Sequence, residues 1–142
     1  MKRFNFSILA LGFLLASGCS SVADDRSLYA QIGGQAGAEQ LVDAFIKEIG
    51  NDRDILPYFK ASNVSHFRRG FLAHLCDTLD GPCEYQGDTM VQIHTGMNIN
   101  EKDFNKVVDL LINAMNEVGI SHPVQNQILA RMAPMRENII NI

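Results

Sequence analysis

The sequence lacks the features that mark several common classes of protein. Its 12 lysines and arginines stand against 16 aspartates and glutamates, a formal net charge of −4. Proteins that bind nucleic acid carry a basic excess, so no nucleic-acid partner is expected. Runs of alternating polar and apolar residues are missing, which argues against β-strands. No internal repeat or low-complexity stretch interrupts the chain.

The first 18 residues predict a signal peptide rather than part of a fold. Lys2 and Arg3 form a basic start, and residues 8–15 are apolar but too few to span a bilayer. Small residues follow, and then Cys19, in a segment LASGC that resembles a bacterial lipobox. That resemblance implies cleavage just before Cys19 and acylation of its thiol. An ordinary secretory signal that contains a cysteine by chance is the alternative.

Cleavage and acylation would produce an exported, lipid-anchored protein. Residues 19–26 then form a lipidated N-terminal tether, and residues 27–142 form one domain with a single core. Each buried acyl methylene contributes roughly 0.8 kcal/mol, so lipid at Cys19 would hold the protein to a bacterial membrane without a transmembrane helix. Ser20 after such a cysteine implies the outer membrane, facing the periplasm, in a Gram-negative host. Loss of the two basic residues among the first 18 leaves 10 basic against 16 acidic residues, a charge of −6.

Two cysteines remain when Cys19 is set aside. In an exported protein, an even number of remaining cysteines favours a disulfide, here between Cys76 and Cys83. Two free thiols are the alternative, because a bond needs Cα atoms within roughly 7 Å of each other. A structural zinc site is disfavoured, since neither a CxxC spacing nor a pair of histidines accompanies these cysteines.

The spacing of apolar residues predicts an all-α domain. Glycine, proline and asparagine mark where the helices begin and end. The predicted helices are one from after Gly34 to Gly50–Asn51, one from about Val64 to Leu79, a single turn from roughly Thr89 to Thr95, one from Asn100 to Gly119, and one from Ser121 through Ile139. Pro134 is expected to bend the last of these helices.

His94 is the residue with the clearest chemical potential. It lies in the largely apolar segment MVQIHTGM between two helical segments. An imidazole in such a place is suited to bind a metal in an apolar pocket, as iron in haem is bound. A structural histidine without a metal is the alternative that the residues alone leave open. His66 and His122 lie on a polar face or at a helix start, where solvent exposure is expected.

The order of these elements resembles that of the group 1 truncated haemoglobins. The segments that carry the resemblance, which covers essentially all of residues 27–142, are Ser27-Leu28-Tyr29, Ile32-Gly33-Gly34, Asp43-Ala44-Phe45, Tyr58-Phe59, Gly81-Pro82, Tyr85-Gln86-Gly87, His94 and Gly96. The resemblance implies a truncated globin, with a two-over-two helical sandwich around haem b and its iron. It also favours the disulfide, because some members of that family carry the same pair of cysteines.

The resemblance assigns roles to single residues. His94 would be the proximal iron ligand, Phe59 would lie flat against the porphyrin, and Phe45 would be a buried aromatic residue beside the distal side. The other residues expected to contact the cofactor are apolar: Ile46, Phe67, Phe71, Leu75, Met90, Ile99 and Phe104. Arg68 and Arg69 would either pair with the haem propionates or lie on a solvated helix face.

The distal side departs from the family pattern. Ile46 stands where the family usually has tyrosine, and Phe67 and Phe71 stand at inward positions that are often polar. A hydrogen bond to bound dioxygen contributes roughly 1.5 to 3 kcal/mol. Without one, we expect loose oxygen binding and weaker discrimination against carbon monoxide. His74, three residues beyond Phe71, is a candidate sixth iron ligand.

Three classes of function therefore fit the sequence. The first is a haem-binding globin that reversibly binds oxygen or another diatomic gas, for transport, scavenging or sensing at a membrane surface. The second is a haem-dependent redox enzyme acting on nitric oxide or peroxide, which is disfavoured because no distal acid–base group is evident. The third is a haemless helical lipoprotein that serves as an interaction module, and it requires His94 to be structural.

Overall fold

The computed structural model describes residues 26–142, and within that range the secondary structure is entirely helical. The predicted signal peptide, Cys19 and nearly all of the predicted tether lie outside the described residues. The elements are α1 (Leu28–Gln31), α2 (Gly34–Asn51), α3 (Leu56–Phe59), α4 (Val64–Thr78), α5 (Met90–His94), α6 (Glu101–Glu117), α7 (His122–Met132) and a 3-10 helix (Ala133–Asn138). Within residues 26–142, none of these helices has the length and apolar character needed to cross a membrane.

The hydrophobic core lies where α2 packs against α6 and α4. Burial of one large aliphatic side chain contributes roughly 1.5 to 3 kcal/mol, so the packing of α2 against α6 and α4 dominates the stability of the domain. The largest side chains with essentially no exposed surface are Leu41, Val42, Ile55, Leu75, Leu79, Met115 and Ile128. Both long helices and the intervening α4 are thereby fixed, which leaves the shorter α3 and α5 to be positioned by local contacts.

Side chains that accept backbone hydrogen bonds begin the helices where the sequence places them. Asn63 Oδ1 accepts from the His66 amide at the start of α4, and Asn100 Oδ1 accepts from the Asp103 amide at the start of α6, both at 2.9 Å. These caps satisfy amides that have no partner within their own helix. The bounds of α2, α4 and α6 confirm the predicted helices to within a residue or two at most ends.

The C-terminal region differs from the prediction. One bent helix was expected from Ser121 through Ile139, but α7 ends at Met132 and the chain continues as the 3-10 helix. Pro134 has no amide hydrogen and its ring clashes with the preceding turn, so the α-helical hydrogen bonding stops there. The sequence pattern also missed α1 and α3, each of which has only four residues.

A disulfide joins the end of α4 to the loop that leads towards α5. Cys76 is buried on α4 and is bonded to Cys83, with their Cα atoms 6.0 Å apart. The chain turns so closely here that a Cβ atom on Gly81 would lie 2.6 Å from Cys76 Sγ. Only glycine fits at that position without displacing its neighbours.

Candidate functional site

His94 is the last residue of the five-residue helix α5. Such a helix is too short to be stable by itself, so its ends must be held. Thr89 and Gln92 form a capping box at the N-terminal end: Thr89 Oγ1 accepts from the Gln92 amide at 3.2 Å, and Gln92 Oε1 accepts from the Thr89 amide at 2.9 Å. Each side chain satisfies an otherwise unpaired amide at the helix start.

One nitrogen of the His94 ring has a defined partner. Nδ1 lies 2.7 Å from the carbonyl oxygen of Met90, one helical turn earlier. A carbonyl only accepts hydrogen bonds, so Nδ1 carries the proton and donates it. In the neutral tautomer that carries its proton on Nδ1, Nε2 has a free lone pair, which is the form in which an imidazole binds a metal.

A mostly apolar cavity of about 110 Å³ lies beside His94. The lining comes from α3 and the residue before it, from the end of α5 and the loop after it, from α6 and from the C-terminal region: Ile55, Tyr58, Phe59, His94, Met97, Ile99, Asp103, Phe104, Val107 and Ile139. Four of the residues predicted to contact a cofactor, namely His94, Phe59, Ile99 and Phe104, therefore meet at one cavity. Met90 is not among the lining residues, and its carbonyl instead orients His94.

The donor set suits iron in a macrocycle rather than a bare ion. Within residues 26–142, no group of three or more histidine, cysteine, aspartate or glutamate side chains comes together to bind a metal. His94 offers a single nitrogen in apolar surroundings. A porphyrin would supply the remaining nitrogen ligands itself, so one protein ligand and an apolar wall are what haem requires.

One polar pair borders the cavity, and the sequence analysis did not identify it. Tyr58 Oη donates to Asp103 Oδ2 at 2.6 Å, and Asn100 Nδ2 donates to the same oxygen at 2.7 Å. The hydrogen bond to the carboxylate favours the protonated phenol and raises the pKa of Tyr58. The two residues are 45 positions apart, so only the caps and the fold bring them together.

A row of aromatic rings covers the facing surfaces of α3, α4 and α2. The Phe59 and Phe67 centroids are 5.0 Å apart, those of Phe67 and Phe71 are 5.7 Å apart, and those of Phe71 and Phe45 are 5.3 Å apart. Offset and edge contacts at these distances are favourable. Ile46 is half-buried next to Phe45 and packs against the core. The rings of Phe45, Phe59, Phe67 and Phe71 thus form one continuous row. Of the predicted distal residues, Phe45, Ile46, Phe67 and Phe71 do not line the cavity beside His94.

Burial separates the predicted contact residues into two groups. Phe59, Phe67, Phe71 and Ile46 are half-buried, so part of each side chain remains available for contact. Phe45 is 4% exposed, and Leu75 is fully buried. Leu75, on α4, therefore belongs to the hydrophobic core and is absent from the cavity lining, and Phe45 packs against Phe71.

Two polar side chains of α4 have partners that do not belong to the aromatic row. Arg68 donates to both carboxylate oxygens of Asp43 on α2, at 2.6 and 2.9 Å, and this contact holds the pKa of Asp43 below its ordinary value. His74 lies edge-on to Tyr85 with centroids 5.1 Å apart, and burial lowers the pKa of its imidazole. His66 and Arg69 are exposed.

Residues 27–141 match the family model of bacterial-like globins. The group 1 truncated hemoglobin GlbN of Nostoc sp. (strain MUN 8820) is 32% identical over 81% of this chain and 98% of that protein. The group 1 truncated hemoglobin of Tetrahymena thermophila is 30% identical over 79% of this chain and 89% of that protein. Both relatives are thus matched over nearly their whole length.

Solved structures share the same arrangement of helices. The truncated hemoglobin of Tetrahymena pyriformis, in its Fe(III) form, has a TM-score of 0.78 at 24% identity and covers 81% of this chain and 98% of its own. The 2/2 hemoglobin of Synechococcus sp. PCC 7002, with covalently attached heme, has a TM-score of 0.77 at 16% identity and covers 82% of this chain and all of its own. At these identities the similarity concerns the fold, which is the two-over-two helical sandwich.

Proposed function

Because this chain belongs to the bacterial-like globin family, we propose that it is a haem-binding globin that reversibly binds oxygen or another diatomic gas. The family membership confirms the predicted all-α, two-over-two fold, and haem b with its iron is the cofactor. One observation supports His94 as the iron ligand. Its Nδ1 atom is hydrogen-bonded to the Met90 carbonyl oxygen, so its Nε2 atom is available to bind iron beside a mostly apolar cavity.

His94 is the proximal ligand in this proposal. The bond from Nδ1 to the Met90 carbonyl fixes the orientation of the ring and makes Nε2 more basic, as such outer partners do at metal sites. Phe59, Ile99 and Phe104 supply apolar contacts for the macrocycle. When bound, haem supplies an iron with a coordination position that a diatomic gas can occupy.

Ile46, Phe67 and Phe71 form the distal wall in this proposal. None of these side chains donates a hydrogen bond, and the nearby Arg68 and His74 already contact Asp43 and Tyr85. A hydrogen-bond donor would stabilise a partly negative ligand such as dioxygen by roughly 1.5 to 3 kcal/mol, and this wall provides no donor. The gas ligand is therefore held loosely, and oxygen is favoured less strongly over apolar ligands such as carbon monoxide.

Absorption spectra of the haem-loaded protein test the ligand assignment. Ferric, ferrous and carbon monoxide-bound spectra are recorded for the unchanged protein, for His94→Ala and for His122→Ala, which alters an exposed histidine at the start of α7. His94→Ala is expected to lose or shift the Soret band, and His122→Ala is expected to match the unchanged protein. A Soret band that is the same in His94→Ala, or that never forms after haem addition, would refute the proposal.

We also propose that the protein is exported and held to a bacterial membrane by lipid on Cys19. The support is the LASGC segment after a short apolar stretch, which lies outside the residues described by the structure. Membrane fractionation of cells that express the full chain tests this, with Cys19→Ser against Ser20→Ala as the matched neighbour. Only Cys19→Ser should move the protein to the soluble fraction, and equal distributions would contradict lipid anchoring.

A further inference from the structure

The C-terminal residues lie across the loop that follows His94. The amide of Gly96 donates to the carbonyl oxygen of Ile142 at 3.1 Å, and the amide of Asn141 donates to the carbonyl oxygen of Ile99 at 2.9 Å. These bonds bracket the part of the loop between α5 and α6. The segment that leaves His94 is therefore paired with a segment some forty residues further along the chain.

Each of the paired segments contains an asparagine whose backbone conformation needs support. The φ angle is +82° at Gly96, +53° at Asn98 and +58° at Asn141. Residues other than glycine adopt positive φ at a cost and keep it where surrounding contacts hold it. The two backbone hydrogen bonds are the contacts that join these turns to each other.

The 3-10 helix adds a second connection to the same place. Arg136 Nη2 donates to Glu101 Oε1 at 2.6 Å, and the guanidinium carbon lies 5.8 Å from the centre of the Phe104 ring. Phe104 and Ile139 both line the cavity beside His94. One stretch of chain thus holds the loop, contacts the start of α6 and supplies part of the cavity wall.

We infer that residues 136–142 form a C-terminal clamp that positions the His94 imidazole. The capping box at Thr89 holds the N-terminal end of α5, and the clamp holds the amide of Gly96, two residues after His94. With both ends held, so short a helix cannot tilt, and Nε2 keeps one direction towards the cavity. The clamp contributes no ligand, and the inference rests on the proposed coordination of iron by His94.

The clamp is tested in the full chain loaded with haem, by deletion of Asn141 and Ile142. The deletion removes both backbone hydrogen bonds to the loop. The iron–histidine stretching band of the ferrous protein, read by resonance Raman scattering, should shift or broaden. Loss of haem to an excess of a haem-accepting apoprotein should become about tenfold faster, the change expected for loss of one to two hydrogen bonds. Exchange of the Gly96 amide hydrogen should also accelerate in the haem-free protein.

A matched pair of arginines provides the control. Arg136 pairs with Glu101 beside the cavity, whereas Arg131 pairs with Asp80 away from it, each at 2.6 Å on the surface. Arg136→Ala should speed haem loss and alter the iron–histidine band, Arg136→Lys should restore both, and Arg131→Ala should change neither. The clamp is refuted if the deletion leaves the band and the rate unchanged, or if the two alanine variants behave alike. If the protein without any substitution or deletion shows no iron–histidine band, ligation of iron by His94 itself is refuted. That result is distinct from failure of the clamp.

Discussion

The two sides of the proposed haem site are held in different ways. On the proposed distal side, Phe67 stacks on Phe71, Phe71 contacts Phe45, and Ile46 packs against the core, so burial and packing of apolar groups on long helices hold this side. The proximal segment, residues 89–99, is a five-residue helix and a loop, in which most side chains are exposed and hydrogen bonds set the geometry. Packing is non-directional and suits a wall, whereas hydrogen bonds are directional and suit the aiming of one nitrogen.

This difference predicts two kinds of response to substitution. A change in the distal wall should alter the stability of the fold or the retention of the gas. A change in the proximal segment should leave global stability nearly intact and alter how firmly haem is held. The first three of the following four predictions test that separation, and all four run from the largest expected effect to the smallest.

Phe45→Ala is expected to lower the free energy of unfolding of the haem-free protein by about 3 to 5 kcal/mol, the usual cost of removing a buried phenylalanine. Phe45 is only 4% exposed and contacts Phe71. Urea denaturation measures the change. Val91→Ala on α5, where the side chain is 44% exposed, is the control and should change stability by no more than about 0.5 kcal/mol. Similar losses in both variants would remove the distinction between the two sides.

Ile46→Tyr is expected to slow oxygen dissociation from the ferrous protein about tenfold to a hundredfold. The new hydroxyl would donate to the bound ligand and contribute roughly 1.5 to 3 kcal/mol. Stopped-flow measurement of the dissociation rate detects the change. Ile46→Phe adds the ring without the hydroxyl and should not slow dissociation to that extent. If both variants slow it equally, the effect is steric and the apolar distal wall does not explain the rate.

Thr89→Ala is expected to destabilise α5 by about 1 kcal/mol, the usual cost of losing a side-chain cap, and to speed haem loss severalfold. The matched control is Ser27→Ala at the start of the four-residue helix α1, where Ser27 Oγ accepts from the Ala30 amide at 3.2 Å. Only Thr89→Ala should affect haem loss, measured by transfer to an apoprotein. An equal effect of Ser27→Ala would show that haem loss follows general stability.

His74 is expected to give the smallest effect, a dependence of stability on pH. Burial lowers its pKa below the ordinary value of 6.5, an effect that the nearby Asp77 partly opposes. Between the pKa of the folded protein and about pH 6.5, the unfolded chain binds a proton at His74 that the folded protein does not. The stability of the fold is therefore unaffected by this proton above about pH 6.5 and declines as the pH falls towards the folded pKa.

Urea denaturation at a series of pH values measures this slope. His74→Gln should flatten it in that interval, whereas His66→Gln, at an exposed position on the same helix, should leave it unchanged. A slope that persists in His74→Gln would assign the dependence to another group. Stability that rises on acidification through this interval would contradict the direction expected for His74.

The long helices and the distal wall could be predicted from the sequence because both depend on regular apolar spacing. The stripe of α6 and the cap at Asn100 give its position directly. The proximal geometry could not be predicted in the same way. α3 has four residues, too few to show a period, and the Tyr58–Asp103 contact joins residues 45 positions apart.

Residues in the C-terminal region were harder still to place. Ile139 was expected within a continuous helix, but Pro134 stops α-helical hydrogen bonding, and Ile139 lies after the 3-10 helix and lines the cavity. The contact between Gly96 and Ile142 is made by backbone atoms, so the identities of the side chains do not predict it. The role of His94 was suggested by the family resemblance, because its local sequence also fits a structural histidine.

The C–O stretching frequency of the carbon monoxide-bound ferrous protein, recorded by infrared spectroscopy in H₂O and in D₂O, tests the contrast between the two sides most directly. With His94 as the proximal ligand and no donor on the distal wall, the frequency should be the same in both solvents and should fall in Ile46→Tyr but not in Ile46→Phe. A frequency in the unchanged protein that shifts in D₂O would reveal a hydrogen-bond donor at the bound ligand and would contradict the apolar distal wall.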